Sequence, residues 1–271
     1  MNFTSGCTSI RYRPFPKKVG WIAALLVTLG TLALAQDKSP EKKDPPKLLM
    51  AVPLVVSPGS LTKATLRGLR LDQASEVAIV GLDSPLKLDV KKKEKAGPPN
   101  GLTANEVGDS FIDVEFTAPD SAEMKELQLV VTTPEGMSQP YRLLVLPSDK
   151  LVSETEPNEA FKKPGSIAIG QTVVGNIHQQ RDVDVFKFAG TAGQTIVAET
   201  IAARRGSAVD PILTLYDAAG QLLAQTDDQA ENRDAVLKHK LPATGRYFLV
   251  LIDAHDRGSN AHPYLLTLRS E

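Results

Sequence analysis

The chain has 271 residues, of which 42% are hydrophobic and 23% charged, a composition typical of globular protein rather than of a disordered or fibrous chain. A length of this order predicts about two domains. The formal net charge is −1, and without the first 35 residues 27 basic residues remain against 32 acidic ones. Because a nucleic-acid binding protein needs clustered positive charge to displace counterions, this balance argues against a nucleic-acid partner.

The N-terminal segment, residues 1–35, has the pattern of a signal peptide. Four basic residues precede the 15-residue apolar run Trp21–Ala35, which ends in Ala-Leu-Ala. A signal peptidase reads small residues at this spacing, and a membrane span needs roughly 20 apolar residues. The sequence therefore predicts export to the periplasm, the cell envelope or the extracellular space, with membrane attachment only if the segment stays uncleaved.

The single cysteine, Cys7, lies inside this segment. The mature chain would therefore contain no disulfide, and an exported protein without disulfides depends on its hydrophobic cores or on bound metal. Residues 36–47 are polar, charged and proline-rich, which predicts a disordered linker.

Residues 48–147 consist of short alternating segments separated by turns. Within Asp109–Thr117, Ile112, Val114 and Phe116 alternate with acidic residues, which is the period of a half-buried strand. Seven or so short strands in about 100 residues predict an immunoglobulin-like β-sandwich. The lysine-rich run at 91–95 is expected to be a solvated hairpin loop, and the alternative is a binding patch.

After a short linker at 148–153, residues 154–271 predict a second β-sandwich without helices, so the expected fold class is all-β. The run Tyr247–Ile252 is apolar on both faces, as in a central strand covered on two sides. The predicted strands are Gln171–Ile177, Asp182–Ala189, Gln194–Ala202, Pro211–Asp217, Asp234–Lys240, Gly245–Asp253 and Pro263–Arg269.

An ordered series of short motifs runs through this second unit. It comprises Glu154-Thr155-Glu156-Pro157-Asn158, Gly175-Asn176-Ile177, Asp182-Val183-Asp184-Val185-Phe186-Lys187-Phe188, Asp210-Pro211, Leu213-Thr214-Leu215-Tyr216-Asp217, Leu241-Pro242-Ala243-Thr244-Gly245-Arg246-Tyr247 and Tyr264-Leu265-Leu266. In order and spacing, residues 154–268 resemble the bacterial pre-peptidase C-terminal (PPC) domain. The resemblance implies a non-catalytic, jelly-roll-like β-sandwich that accompanies secreted proteases and other exported proteins. Residues 48–147 resemble the immunoglobulin-like IPT/TIG domain through Ser57-Pro58-Gly59, Leu66–Leu71 and Thr133–Ser138.

Acidic residues crowd the start of the second unit. Glu154, Glu156 and Asn158 share one face of an extended chain, because alternate side chains of a strand point the same way. Asp182 and Asp184 share a face in the same manner. Where the two rows meet, like charges repel, and calcium, which takes six to eight oxygen ligands, removes the conflict. The alternative is a solvated acidic linker beside an ordinary strand edge.

The PPC resemblance implies that calcium is held partly by the linker, with Glu154, Glu156, Asn158, Asp182 and Asp184 as ligands. The chain departs from the family pattern at Glu159, where aspartate is common. A further acidic cluster, Asp227, Asp228, Glu231 and Asp234, is expected to be a solvated turn rather than a second cation site.

The sequence offers no supported active site: the histidines lack metal-binding spacing and no Gly-x-Ser-x-Gly motif occurs. We therefore expect a non-enzymatic, exported binding or spacer protein that acts on an extracellular protein or polysaccharide. The alternatives are an accessory or truncated component of a secreted peptidase and an adhesion module for an extracellular polymer. A linked hypothesis is that calcium converts a loose interdomain tether into a rigid one.

Overall fold

The computed structural model describes residues 44–99, 101–121 and 123–271, so the predicted signal peptide lies outside the described residues. The described chain is built from strands, with one four-residue helix, α1 (Ala104–Val107), and short 3-10 turns. The all-β prediction is confirmed. Among the residues described, no helix has the length and hydropathy that crossing a bilayer requires.

The first β-sandwich contains two sheets. Its strands are β1 (Lys47–Val52), β2 (Val55–Val56), β3 (Leu61–Leu69), β4 (Glu76–Val80), β5 (Leu86–Lys87), β6 (Asp89–Lys95), β7 (Ser110–Thr117), β8 (Glu126–Thr133), β9 (Gly136–Met137) and β10 (Tyr141–Val145). One sheet has the order β1-β3-β7-β6 and the other β2-β10-β8-β4-β5, with β9 paired to β8. The two inner faces enclose the first hydrophobic core.

The alternation of apolar and acidic residues in β7 places the apolar side chains inside the sandwich, as predicted. Ile112, Val114 and Phe116 are buried in the first core, whereas the residues between them are half-buried on the outer face. The lysine-rich run at 91–95 was expected to be a hairpin loop, and this prediction is wrong. The run belongs to β6, one of the two edge strands of its sheet. Lysine on an edge strand opposes pairing with another chain, which explains a charge run in a β-strand.

The second β-sandwich also contains two sheets. Its strands are β11 (Leu151–Ser153), β12 (Gly165–Ser166), β13 (Gln171–Asn176), β14 (Asp184–Gly190), β15 (Thr195–Ile201), β16 (Pro211–Tyr216), β17 (Leu222–Thr226), β18 (Val236–Lys240), β19 (Gly245–Asp253) and β20 (Pro263–Ser270). The sheet orders are β11-β13-β20-β15-β18 and β12-β14-β19-β16-β17. Strand β19 is central, as its apolar sequence predicts.

The segment 148–153, expected to be a linker, has defined structure. It forms a 3-10 turn at Ser148–Lys150 and then β11, which pairs in parallel with β13 of the second sandwich. The chain after β11 therefore starts from a fixed position at the sheet edge. This fixed starting position limits which parts of the second sandwich the side chains of Glu154 and Glu156 can contact.

A third apolar cluster lies between the sandwiches. Met50, Leu54 and Val107 of the first sandwich are buried against Ala261 and Leu265 of the second. Polar contacts extend this interface, since the hydroxyl of Tyr141 donates to the carbonyl of Arg205 at 3.0 Å. Apolar burial therefore joins the two sandwiches directly, and the hypothesis of a loose tether between them does not hold.

Candidate metal centre

The acidic arm after β11 is held against the second sandwich by Glu154. One carboxylate oxygen of Glu154 accepts hydrogen bonds from the amide of Asn158 at 3.1 Å and from the hydroxyl of Tyr264 at 2.6 Å. The other oxygen accepts from the backbone N–H of Asn176 at 2.8 Å. The side chain of Glu154 is only 5% exposed. Glu154 therefore ties the arm to β13 and β20 through charge-assisted hydrogen bonds.

The two aspartates approach the arm from the start of β14. Asp182 accepts a hydrogen bond from the backbone N–H of His178 at 2.6 Å. Asp184 is fully buried, and one of its oxygens lies 2.8 Å from the hydroxyl of Tyr264. Because this hydroxyl has one proton, it can donate to either Glu154 or Asp184, but not to both at once.

The predicted residues converge. One carboxylate oxygen from each of Glu156, Asp182 and Asp184 lies within 4.8 Å of the other two. Two buried oxygens at this place, Oδ1 of Asn158 and Oδ1 of Asp184, have no hydrogen-bond partner among the described residues. Glu154 stands beside them, so the structure brings all five predicted residues into one cluster.

The electrostatics of this cluster are unfavourable for carboxylates alone. Burial, together with the charges of Glu154 and Asp182, raises the pKa of Asp184 from 3.8 to about 9. Burial and the same two neighbours also raise the pKa of Glu156. The imidazole of His178, which is half exposed, lies 3.1 Å from Glu156. The like charges at this site therefore lack compensation by a buried cationic side chain among the described residues.

The donor set matches a hard cation. Carboxylate and amide oxygens are the ligands that calcium prefers, and a flexible arm suits its variable geometry. Leaving a buried oxygen without a partner costs roughly 1–3 kcal/mol, so two such atoms in one cluster require an explanation. Oδ1 of Asn158 and Oδ1 of Asp184 are acceptors, as a cation requires of its ligands.

Sequence reasoning missed the part played by Tyr264. Its side chain is fully buried, and burial with the charges of Asp184 and Glu154 raises its pKa well above 10, so it remains a neutral hydroxyl. The glycine in Gly175-Asn176 makes room for it. A Cβ at Gly175 would lie 2.4 Å from Cζ of Tyr264. Gly175 and Tyr264 belong to two motifs that lie far apart in the sequence, and the pairing of β13 with β20 brings these two residues together.

The second acidic cluster divides into two unrelated parts. Asp227 and Asp228 are exposed, and their carboxylates lie with that of Asp210 within 4.8 Å of one another. Asp234 is instead fully buried and accepts backbone hydrogen bonds from Ala202 at 2.8 Å and Ala203 at 2.7 Å. Its role is to hold the turn after β15, and the prediction that Asp234 belongs to a solvated turn is wrong.

Comparison with known proteins supports the resemblance of the second unit. A family model of the bacterial pre-peptidase C-terminal domain matches residues 182–252. A probable subtilase-type serine protease from Deinococcus radiodurans is 42% identical over 101 residues, which cover 36% of this chain and 14% of that protein. The chain thus spans about one seventh of the length of this curated relative.

Similar solved structures include the pre-peptidase C-terminal domain of a Bacillus anthracis collagenase, at 15% identity and a TM-score of 0.32, covering 43% of this chain and 100% of that one. The periplasmic g-type lysozyme inhibitor PliG of Aeromonas hydrophila shows 14% identity and a TM-score of 0.31, covering 40% and 96%. The IPT/TIG resemblance of the first sandwich stays a prediction. The second sandwich contains a region, residues 182–252, that matches the bacterial pre-peptidase C-terminal domain.

Proposed function

We propose that this chain is an exported, non-catalytic binding or spacer protein whose second sandwich is stabilised by calcium. The ion would be held by Glu156, Asn158, Asp182 and Asp184, with Glu154 anchoring the arm and completing the set. The observation that carries this proposal is the pair of buried, unpartnered oxygens, Oδ1 of Asn158 and Oδ1 of Asp184, beside converging carboxylates.

Bound calcium would supply the positive charge that lets these carboxylates remain ionised together. Ligands come from residues 154–158 of the arm and from the start of β14, so binding would couple order in the arm to order in the sandwich. Because apolar contacts already join the two sandwiches, the expected effect of calcium is local. It fixes the arm onto its own sandwich rather than closing an interdomain hinge.

Export is supported by the basic and apolar pattern of residues 1–35, and by the PPC domain, a module of exported proteins. The proposed partner is an extracellular protein or polysaccharide. Retention on immobilised collagen, chitin or cellulose would identify an adhesion module, and absence of retention on all three would favour a spacer.

A second candidate function is an accessory component of a secreted peptidase. It is favoured by the 42% identity to the Deinococcus radiodurans protein described as a subtilase-type protease. If the chain itself were a peptidase, the purified protein would cleave casein, and substitution of a nucleophile would abolish this activity. An accessory role predicts no cleavage by the chain alone and a change in rate when a secreted protease is added.

Thermal melting of the full chain tests the calcium proposal. At a calcium concentration one hundred times the dissociation constant, binding to the folded state alone contributes about 2.7 kcal/mol. This corresponds to a rise in Tm of about 5–10 °C for a protein of this size. Chelator should reverse the rise, and magnesium, which demands stricter octahedral geometry, should produce a smaller one.

Two variants make this experiment specific. Asp184→Asn keeps the size of the buried side chain and removes a ligand charge, so the calcium-dependent rise in Tm should disappear. Glu159→Gln, an exposed acidic residue of the same arm, should keep it. An equal rise in both variants would show that calcium acts on surface charge in general and would overturn the proposal.

A further inference from the structure

The outer face of the sheet β12-β14-β19-β16-β17 carries a row of side chains that crosses four strands. Phe248 of β19 lies opposite Lys187 of β14 on one side and opposite Tyr216 of β16 on the other. Leu222 of β17 lies opposite Tyr216 and is 58% exposed. Residues that face each other across antiparallel strands point to the same side of the sheet. At about 4.8 Å per strand, the row is roughly 14 Å long.

An aromatic ring from the turn after the acidic arm completes this row. The ring of Phe161 meets that of Phe248 with 4.9 Å between centroids and an interplanar angle of 90°, and that of Tyr216 with 5.3 Å and 84°. Edge-to-face contacts of this kind orient the rings, yet Phe161 is still 43% exposed. The result is an ordered apolar surface open to solvent, the apolar strip, which consists of Phe161, Tyr216, Leu222 and Phe248.

Basic side chains surround the apolar strip. The guanidinium carbon of Arg246 lies 5.6 Å from the centroid of the Phe248 ring, and Lys187 stands beside the same ring on β14. Lys162 and Lys163 belong to the turn that carries the exposed ring. All four cations are exposed, and none of them forms an ion pair with another residue of the described chain.

Two carboxylates adjoin the apolar strip in the sequence. Asp217 accepts hydrogen bonds from the backbone N–H groups of Ala219 at 2.9 Å and Gln221 at 2.8 Å, so it is engaged in the turn between β16 and β17. Glu159 is exposed at the end of the acidic arm. Four exposed cations therefore outnumber the carboxylates around the strip, and this surface complements an anionic partner.

The geometry of the strip favours a polysaccharide over a peptide or a membrane. The ring-bearing strands β19 and β16 are paired on both sides, so they offer no free edge to which a peptide backbone could add. Phe161 packs onto its own sheet through two ring contacts, whereas a bilayer takes apolar side chains that reach the acyl boundary. The C–H face of a pyranose ring needs only an apolar surface on which to lie.

We propose that the apolar strip binds an acidic polysaccharide. Its pyranose rings lie on Phe161 and Tyr216, and its carboxylates pair with Lys187 and Arg246. This inference rests on the binding role proposed above and adds the ligand class and the surface. Because the cations are exposed, salt should weaken the binding.

The test is isothermal titration calorimetry of the full chain with oligogalacturonate, at low ionic strength and without added divalent cations, which cross-link this acid. Two further probes separate its properties. Methyl-esterified oligogalacturonate keeps the sugar rings and loses the charge, and polyglutamate keeps the carboxylates without the rings. We expect saturable binding of oligogalacturonate and affinities about tenfold lower for both other probes.

Two variants locate the binding, and thermal melting checks that each is folded. Phe161→Ala should lower the affinity about fivefold or more. The double variant Lys187→Gln with Arg246→Gln should lower it about tenfold. Lys240→Gln is the matched control, since Lys240 is an exposed lysine of β18 in the opposite sheet, and it should leave the affinity unchanged. Equal affinities in the control and in both strip variants would overturn the proposal.

The outcomes remain distinct from those of the proposed function. Retention on collagen, chitin or cellulose without binding of oligogalacturonate would leave a binding role in place and overturn this inference. Polyglutamate bound as tightly as oligogalacturonate would assign the strip to acidic peptides. Binding of phosphatidylglycerol vesicles that Phe161→Ala abolishes, without binding of oligogalacturonate, would assign it to a lipid surface. Either result would overturn the choice of a polysaccharide.

Discussion

Among the described residues, the acidic cluster around Asp184 and the buried guanidinium of Arg67 have opposite sign, and they differ in how the sequence encodes them. Around Asp184 several carboxylates meet without a buried cationic side chain among the described residues. Around Arg67 one guanidinium is buried without a carboxylate partner. The acidic cluster is concentrated in short sequence runs, whereas the basic group is one arginine whose Nε is bonded to the carbonyl of Val107.

This difference predicts different responses to substitution. The acidic cluster consists of several mutually dependent groups, so a change in its supporting residues should disturb the whole arrangement. The buried positive charge rests on the single side chain of Arg67, and replacing a buried charge by an apolar residue of similar size is often neutral.

The largest effect is expected at Gly175, beneath the Tyr264 ring. Gly175→Ala would place a Cβ 2.4 Å from Cζ of Tyr264, so the free energy of unfolding should fall by about 3 kcal/mol or more. The displaced hydroxyl should also weaken the response to calcium. Urea denaturation with and without calcium measures both. Gly245, where a Cβ would meet no atom within 4 Å, is the control, and equal losses in Gly175→Ala and Gly245→Ala would refute the steric explanation.

A pH effect is expected at His262, which is buried and lies two residues before Tyr264 in the chain. Burial lowers its pKa from 6.5 to about 4. The folded state therefore favours the neutral imidazole, and the associated stability is present above pH 6.5 and lost as pH falls towards 4. The loss should reach about 3 kcal/mol at most.

The acid effect is measured by denaturation at several pH values in wild type and in His262→Asn. The asparagine should flatten the dependence on pH between 6.5 and 4. Replacing the exposed His255 by asparagine should leave that dependence unchanged. A wild-type slope that persists in His262→Asn would assign the acid sensitivity to other groups.

A smaller effect is expected at Arg67. In buffer without oxyanions, Arg67→Met should change the free energy of unfolding by no more than about 1 kcal/mol, because the lost hydrogen bond to Val107 is offset by relief of an unpaired buried charge. Chemical denaturation measures it. A loss of several kcal/mol would mean that the guanidinium is well paired in the folded protein, which contradicts an unpaired buried charge.

The smallest effect is expected at Glu159. This residue is exposed on the acidic arm, so Glu159→Gln should change stability by less than about 0.5 kcal/mol with or without calcium. A calorimetric difference larger than that would place Glu159 among the residues that hold the arm and would extend the cluster beyond the five predicted residues.

The sequence was sufficient to predict the residues of the acidic cluster and the β-sandwich class. Period-two alternation located β7, and a run that is apolar on both faces located β19. Two local acidic runs, together with the PPC resemblance, identified the five candidate ligands. Local patterns could not reveal Tyr264, because its hydroxyl meets Glu154 from 110 positions away along the chain. They also missed β17, which is half-exposed and does not alternate cleanly.

The burial of Arg67 was not predictable from sequence. In β3 the alternation assigns Arg67 to the outer face, and an arginine there is expected to reach solvent. Its Nε donates to the carbonyl of Val107 in α1, a contact between residues 40 positions apart in the chain. The sequence also could not reveal the apolar interface between the sandwiches, because its residues, such as Met50 and Leu265, resemble ordinary core residues. This is why a loose tether between the sandwiches was wrongly expected.

The most direct measurement of the central claim is luminescence of terbium, a calcium substitute that accepts excitation energy from a nearby aromatic ring. The hydroxyl of Tyr264 lies 2.6 Å from Glu154 and 2.8 Å from Asp184, so an ion bound in this cluster should be sensitised on excitation of tyrosine. We predict a saturable signal in the full chain that calcium displaces, that is lost in Asp184→Asn and that remains in Glu159→Gln. A signal that is absent, or that is the same in both variants, would contradict the assignment of a cation to this cluster.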